Sequence, residues 1–122
     1  MFELTIEREF CAAHAIVING VREARHGHNW KLVVVVAGPT LDDDGLLCDF
    51  HVIERTIDRV VEPLHNADLN DTPPFDRLNP TAENVARHVA ESMLDGLPVG
   101  VRLDRVSVTE APGCRATYRV GS

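Results

Sequence analysis

The sequence predicts an α+β fold in which an antiparallel sheet carries two helices on one face. Apolar and polar residues alternate with a period of two near both ends of the chain, as in half-buried strands. Between these regions lie two segments whose apolar residues follow helical spacing. The predicted element order is therefore ββααββ, and hairpins separated by a pair of helices form a sheet with the helices on one side.

Composition narrows the class of protein. A chain of 122 residues with 44% hydrophobic residues is expected to form a single domain spanning residues 1–122. The net charge of −7 and the lack of a basic cluster argue against a nucleic-acid partner. No apolar run approaches the roughly 20 residues that span a bilayer, and no secretory leader is recognisable, so we expect no membrane association and a cytoplasmic location.

The first two strands are predicted from residues 2–14 and 30–37. The former alternates, with an interruption at Arg8, whereas the latter is almost continuously apolar and is expected to be covered on both faces. Between them, Asn19-Gly20 predicts a turn and residues 21–25 a charged loop.

The first helix is predicted over residues 50–64, with Asp49 as its N-cap. An irregular polar loop is expected at 65–71. The second helix is expected to begin after Asn79 as its cap and Pro80 in its first turn, and to end near Gly96. Its apolar stripe is formed by Val85, Val89 and Met93.

Two closing strands are predicted, the first running to Glu110 and the second over residues 115–120. The apolar phase changes across Asp104-Arg105, which predicts a bulge or a bend. Glu110 continues the apolar face of Val106 and Val108. A carboxylate there lies either at a solvated strand end or where it accepts hydrogen bonds from a ligand.

A His-x-His pair suggests a metal site. In an extended strand His26 and His28 project from the same face, and Gly27 leaves space between them. If the strand that ends near His14 pairs antiparallel with them, three imidazoles meet, and three neutral nitrogens with an open fourth position are typical of catalytic zinc. Alternatively, the pair is a polar strand end and His14 an unrelated core histidine.

The three cysteines do not predict a disulfide framework, because they are odd in number, widely spaced and contain no Cys-x-x-Cys pair. Cys48 is interpreted as a small buried hydrophobic residue. Cys11 and His14 are three positions apart in a strand and should therefore lie on opposite faces unless a bulge intervenes.

An ordered set of segments resembles the 6-pyruvoyltetrahydropterin and 6-carboxytetrahydropterin synthase family nearly from end to end. The segments are Phe10-Cys11-Ala12-Ala13-His14, His26-Gly27-His28-Asn29-Trp30, Gly45 to Phe50, Leu69-Asn70-Asp71, Asn79-Pro80-Thr81-Ala82-Glu83-Asn84 and Val108-Thr109-Glu110. The resemblance implies the tunnelling fold, in which ββααββ subunits join into a barrel-forming trimer or a stacked hexamer with sites between subunits.

The resemblance also implies roles for individual residues. It places the three zinc ligands on His14, His26 and His28. It places the carboxylate that anchors the pterin on Glu110, and an interface segment near the pterin on Thr81 and Glu83. A pterin presents adjacent N–H donors that a carboxylate can accept in a bidentate way.

The proton-transfer residues depart from the family pattern. The family's cysteine base, four residues before His-Gly-His, corresponds to Arg22, and a related subgroup carries glutamate there. Glu23, one residue away, is the candidate substitute base. The family's Asp-His pair corresponds to His65-Asn66, so His65 is displaced by one position. Its aspartate is missing unless Asp68 or another subunit supplies it, and its loss should weaken acid–base catalysis.

The sequence therefore predicts a zinc-dependent lyase acting on the side chain of 7,8-dihydroneopterin triphosphate or a close relative. Zinc would bind the side-chain hydroxyls as a Lewis acid. The altered proton-transfer groups keep open a non-catalytic pterin- or purine-binding homologue that retains the metal, and a structural zinc is a further alternative.

Overall fold

The computed structural model describes residues 1–121. Its α-helices are α1 (Phe50–Val61) and α2 (Ala82–Met93), with short 3₁₀ turns at Glu62–Leu64, Leu69–Asp71 and Leu94–Gly96. Its strands are β1 (Phe2–His14), β2 (Val17–Ile18), β3 (Val21–Arg22), β4 (His26–Gly38), β5 (Ala67–Asp68), β6 (Arg102–Ala111) and β7 (Cys114–Arg119).

The main sheet has five strands in the order β5-β1-β4-β6-β7. The four long strands pair antiparallel, and the long elements follow the predicted order, so the α+β fold class is confirmed. The edge strand β5, which runs parallel to β1, was predicted as irregular loop. A two-residue strand is too short for a period of two to be visible in the sequence.

The hydrophobic core lies between the two helices and one face of the sheet. In β1 the buried side chains occupy alternate positions, among them Ile6, Phe10 and Ala12. Trp30 in β4 is fully buried, stacks on Phe10 with ring centroids 5.9 Å apart, and donates its indole N–H to the Ala12 carbonyl. This packing supports β1 and β4 near the ends that carry the histidines.

Helix α1 begins where the sequence predicts and ends slightly earlier. The Asp49 carboxylate accepts a hydrogen bond from the His51 N–H and caps the helix, as expected. The chain leaves the α-helix after Val61 and continues as a 3₁₀ turn that contains Pro63, which cannot donate an α-helical hydrogen bond. Arg8 ties α1 to β1 through ion pairs with Glu54 and Asp58, each at 2.8 Å.

The N-cap of helix α2 differs from the predicted one. The N-cap is Thr81, whose side chain accepts from the Asn84 N–H, and not Asn79. Both residues are of a type that caps helices, and Asn79 instead uses its side chain to bind another backbone segment. The predicted stripe is confirmed, because Val85, Val89 and Met93 are all fully buried.

A small hairpin replaces the predicted charged loop between β1 and β4. Val17–Ile18 pairs antiparallel with Val21–Arg22, and Asn19 and Gly20 form the turn with positive φ angles of 52° and 78°. The turn was predicted, but the strands were not, because two residues a side carry too little pattern. This hairpin leaves the sheet directly after His14 and returns just before His26.

Strand β6 contains two irregularities. Asp104 has no partner in β4, because Val35 pairs with Arg105 and Val36 with Leu103. The bulge predicted from the phase change is thus confirmed. A second register shift lies between Thr109 and Ala111, at Glu110. Within residues 1–121, no helix has the length and apolar character needed to cross a membrane.

Candidate metal centre

The pairing of β1 with β4 brings the three histidines together. His14 is directly opposite His26 in the antiparallel register, and His28 lies two residues further along the same face. The three rings are 4.6 to 5.3 Å apart between centroids. The predicted antiparallel pairing is therefore present, whereas the role of these residues as metal ligands stays a prediction.

Two backbone carbonyls orient two of the rings. The Nδ1 of His14 is 2.7 Å from the Pro80 oxygen, and the Nδ1 of His26 is 2.9 Å from the Ala24 oxygen. A carbonyl only accepts, so each Nδ1 must carry the proton. In the neutral rings the Nε2 atoms then present lone pairs, and this arrangement, with a carbonyl behind each imidazole, is the usual support of a metal-ligating histidine.

Glu110 reaches the histidines from the neighbouring strand β6. Its Oε1 is 2.9 Å from His14 Nε2, 3.1 Å from His28 Nε2 and 3.8 Å from His26 Nε2. One ligand atom from each of the four residues falls within 4.8 Å of all the others. We call these four residues the His₃Glu cluster.

The His₃Glu cluster fits a divalent cation. The Nε2 lone pairs of neutral His14 and His26 and an ionised carboxylate are all acceptors, so neither of these two rings supplies a proton to its contact with Glu110. His28 Nε2 is buried and has no hydrogen-bond partner, even though Glu110 Oε1 lies 3.1 Å away. A bound cation would satisfy all four atoms, and imidazole nitrogen with carboxylate oxygen is a ligand set that zinc takes.

Burial keeps His28 in the form that binds metal. Desolvation lowers the pKa of His28, and the opposing attraction of Glu110 is smaller. The neutral imidazole is therefore favoured, and the neutral form is the one with a lone pair to donate. His14 is completely buried whereas the side chain of His26 is 37% exposed, so the cluster is closed on one side and accessible on the other.

Glu23 lies at the accessible side of the cluster. Its Oε1 accepts a hydrogen bond from the Ile16 N–H at 3.1 Å and is 3.7 Å from His26 Nε2. Its own N–H donates to the Ile16 carbonyl. The candidate proton acceptor Glu23 therefore lies where the hairpin joins β4, close to the candidate metal ligand His26. Hydrogen bonds to the Ile16 backbone hold it there. Arg22, at the position of the family's cysteine, is an exposed residue of strand β3.

Two asparagines, which sequence reasoning did not assign to the site, hold the chain between His14 and the hairpin. Asn70 accepts from the Ala15 N–H at 2.8 Å and donates to the Ala15 carbonyl at 2.9 Å. Asn79 makes the same pair of bonds to Val17, both at 2.9 Å. Each side-chain amide thus replaces the neighbouring strand that this segment lacks. Both asparagines lie in segments that resemble the family, and this was the available indication of a role in the site. The residue type of Asn79 alone indicated a helix N-cap.

A cavity beside the cluster joins two of the predicted pterin contacts. It has a volume of about 390 Å³ and is lined by Glu83 and Glu110, together with Arg115 and its neighbours at the start of β7. Thr81 is not part of this lining, because its side chain caps α2. The structure therefore brings Glu83 and Glu110 to one cavity, and Thr81 does not line it.

His65 lies apart from the His₃Glu cluster. Its Nδ1 accepts a hydrogen bond from the Cys11 N–H at 3.2 Å, so the neutral ring carries its proton on Nε2. Cys11 is exposed and its thiol contacts Asn29, on the face of the sheet opposite His14, as the strand spacing predicts. Within one chain, the candidate proton-transfer residue Glu23 thus lies beside the cluster, and the other candidate, His65, is not part of it.

Cys48 behaves as the sequence predicts. It is partly buried, packs against the hydrophobic core and is a free thiol. Burial raises its pKa, and the nearby charge of Asp49 adds to the effect. The thiolate is therefore disfavoured, and Cys48 is unsuited to act as a nucleophile.

Comparison with known sequences agrees with this arrangement. A family model described as 6-pyruvoyl tetrahydropterin synthase matches residues 3–121. The chain is 39% identical over 101 residues to a dihydroneopterin monophosphate aldolase of Pyrococcus furiosus, covering 83% of this chain and 82% of the relative. It is 32% identical over 124 residues to a 6-carboxy-5,6,7,8-tetrahydropterin synthase of Bacillus subtilis, covering 97% and 85%.

Solved structures share the fold. The 6-pyruvoyl tetrahydropterin synthase of Caenorhabditis elegans superposes with a TM-score of 0.82 at 24% sequence identity, covering 99% of this chain and 98% of that one. At this level of identity the likeness supports the architecture of sheet and helices and carries no information about substrate.

Proposed function

Because the chain belongs to the 6-pyruvoyl tetrahydropterin synthase family, we propose that it is a zinc-dependent lyase acting on the side chain of 7,8-dihydroneopterin triphosphate or a close relative. The observation that carries the proposal is the convergence of three histidine nitrogens and one carboxylate oxygen within 4.8 Å. Zinc bound there would supply Lewis acidity to the hydroxyls of the substrate side chain.

We propose that residues beside the cluster bind the pterin ring. Glu110 and Glu83 line the adjoining cavity, where a carboxylate can accept the paired N–H donors of a pterin ring. We assign the ring to this cavity, with Glu110 as its anchor. Thr81 contributes by fixing the start of α2 and hence the position of Glu83.

We propose that Glu23 and His65 transfer protons to and from the substrate. Glu23 is within reach of a group held at the cluster, since its carboxylate is 3.7 Å from His26 Nε2, and an ionised carboxylate can act as a base. His65, with its proton on Nε2, is suited to donate. Both replace the family's usual groups, so we expect slower turnover than in relatives that retain the cysteine and the Asp-His pair.

The proposed substrates include the monophosphate of dihydroneopterin as a close relative of the triphosphate. The relative from Pyrococcus furiosus is by name an aldolase for dihydroneopterin monophosphate. A side-chain cleavage on a monophosphate would be the same class of reaction on a close relative of the triphosphate. Substrate assays must therefore include the triphosphate, the monophosphate and the dephosphorylated pterin.

We further propose that the protein is a homo-oligomer, a trimer or hexamer, in the cytoplasm. Strands β5 and β7 are the edges of an open sheet, and unpaired edges favour pairing with other copies. His65 does not belong to the His₃Glu cluster of its own chain, which fits a site completed by a second subunit.

The test is to incubate the zinc-loaded protein with the three pterins and to follow the products by mass spectrometry. We expect loss of a side-chain fragment or of triphosphate from one of them. The product should disappear in His26→Ala, which removes a ligand, and should persist in the surface control His51→Ala, since His51 lies on α1 and is exposed.

A non-catalytic pterin- or purine-binding protein is the second candidate. It is favoured by His65, whose ring is held by a backbone N–H and not by a carboxylate. Unchanged substrate that binds tightly, with binding lost in Glu110→Ala, would contradict the lyase assignment on these substrates and support this alternative.

A further inference from the structure

We propose that Glu110 is the fourth metal ligand in the pterin-free protein, so that one carboxylate serves the metal and the pterin in turn. The inference rests on the proposed metal site and extends it, because a pterin anchor needs to reach only the cavity. In the structure the carboxylate is turned toward the histidines.

The distances from Glu110 Oε1 to the three histidine nitrogens are close to those between ligand atoms in a tetrahedral zinc site. Ligand atoms about 2.1 Å from a tetrahedral zinc lie about 3.4 Å from one another. Glu110 Oε1 is 2.9, 3.1 and 3.8 Å from the three Nε2 atoms, which scatter around that separation. The oxygen therefore lies close to all three nitrogens, and side-chain adjustments would bring the four ligand atoms, which lie within 4.8 Å of one another, to bonding distance of one ion.

The backbone around Glu110 accounts for its direction. The register of β6 against β7 shifts between Thr109 and Ala111, so Glu110 is the extra residue of a bulge. Bulges re-aim a side chain relative to a regular strand. This one coincides with the residue whose carboxylate meets the histidines, and the Glu110 oxygen lies 2.9 Å from the Nε2 lone pair of His14 with no proton between them.

The same carboxylate can leave the cluster. Its side chain is 25% exposed and lines the cavity of about 390 Å³, whereas His14 is fully buried and held by Pro80. A pterin that takes up this carboxylate removes it from the metal and leaves a ligand position free. Metal and pterin therefore compete for Glu110, and by linkage each weakens the other's hold on it.

The test uses Co²⁺ in place of zinc, because its visible absorption reports coordination number and ligand type. Metal affinity by chelator competition and the Co²⁺ spectrum are measured for the wild type, Glu110→Ala, Glu110→Gln and Glu83→Gln. Glu83 lines the same cavity but is not in the cluster, so it is the matched control. Glu110→Gln preserves side-chain volume in case the alanine variant folds poorly.

We expect Glu110→Ala to lose affinity by about 10- to 100-fold and to change the spectrum, with Glu83→Gln unchanged. A pterin without side-chain hydroxyls, 6-methyl-7,8-dihydropterin, should alter the wild-type spectrum and leave that of Glu110→Gln unaltered. Wild-type affinity and spectrum in both Glu110 variants would overturn the inference alone. A wild-type protein that binds no Co²⁺ would overturn the metal site as well.

Discussion

The carbonyl oxygens of Pro80 and Ala24 determine which nitrogen two of the site histidines present. Each accepts a hydrogen bond from a ring Nδ1–H and so directs the Nε2 lone pair of His14 or His26 toward the cluster. Neither carbonyl belongs to a chemically distinctive residue. The tautomers of His14 and His26 are thus set by the positions of backbone carbonyls, which no side-chain motif in the sequence indicates.

His88 provides a test of how burial affects a histidine outside the site. It lies on α2 against the ring of Phe75, with centroids 5.3 Å apart. Burial lowers the pKa of His88, and the attraction of Glu91 only partly opposes this. The folded state therefore takes up a proton at lower pH than the unfolded chain, whose histidines titrate near 6.5.

The expected result is a loss of stability as the pH falls below about 6.5, where the unfolded state binds a proton that folded His88 does not. Above that pH both states are neutral at this residue and the effect vanishes. Denaturant unfolding of wild type and His88→Gln between pH 7.5 and 5 measures it. The free energy of unfolding should fall less steeply in the variant, and parallel curves would refute the assignment.

At the scale of elements, the β2–β3 hairpin is the segment on which the site depends most. It connects a candidate metal ligand, His14, to the candidate base Glu23 and then to His26. Because it pairs with no strand of the main sheet, its position relies on Asn70 and Asn79. Side-chain amides can reproduce both hydrogen bonds of a strand partner, which is why asparagine suits these two positions.

Asn79→Asp should free this hairpin without changing side-chain size. The carboxylate still accepts from the Val17 N–H but cannot donate to the Val17 carbonyl and repels it. We expect a loss of about 1 kcal/mol in the free energy of unfolding, since the bonds are exposed. Hydrogen exchange at the Val17 amide should accelerate.

The control for this prediction is Asn29→Ala, which removes an asparagine that contacts the Cys11 thiol on the other face of the sheet. Its Val17 amide should exchange at the wild-type rate. Unchanged protection in Asn79→Asp would show that the hairpin does not need this clamp.

At the scale of the whole molecule, the sheet is open at β5 and β7, and the candidate proton donor His65 is not part of the His₃Glu cluster of its own chain. His65 hydrogen-bonds to the Cys11 backbone, next to strand β5. A site shared between copies reconciles these two facts, because an edge that pairs with a neighbour would carry His65 toward that neighbour's cluster.

Mixed oligomers test this arrangement. If the site is shared, His26→Ala and His65→Ala, each inactive alone, should regain about a quarter of wild-type activity after co-refolding, because random assembly leaves that share of sites intact. Light scattering on the same samples gives the mass of the assembly. Absence of recovery in oligomers proven to be mixed would place His65 and the cluster in the same subunit.

Long elements were predictable because each repeats its pattern many times. Strand β4 carries a nearly continuous apolar run and α2 buries five apolar residues on one face, and such patterns are set by burial on one face or both. The bulge at Asp104 was visible for the same reason, as a break in phase. Strands of two residues, such as β2, β3 and β5, repeat nothing, so tertiary pairing alone defines them.

By itself the sequence determined the ligand candidates and the strand alternation that puts His26 and His28 on one face. It also located Glu110 in phase with the apolar side of its strand. The tertiary structure decided how these residues meet, through the register that sets His14 opposite His26 and the bulge that turns Glu110 toward them. It also decided that Asn79 is a clamp and Thr81 the cap, because hydrogen-bond partners distant in the chain are known only once the chain has folded.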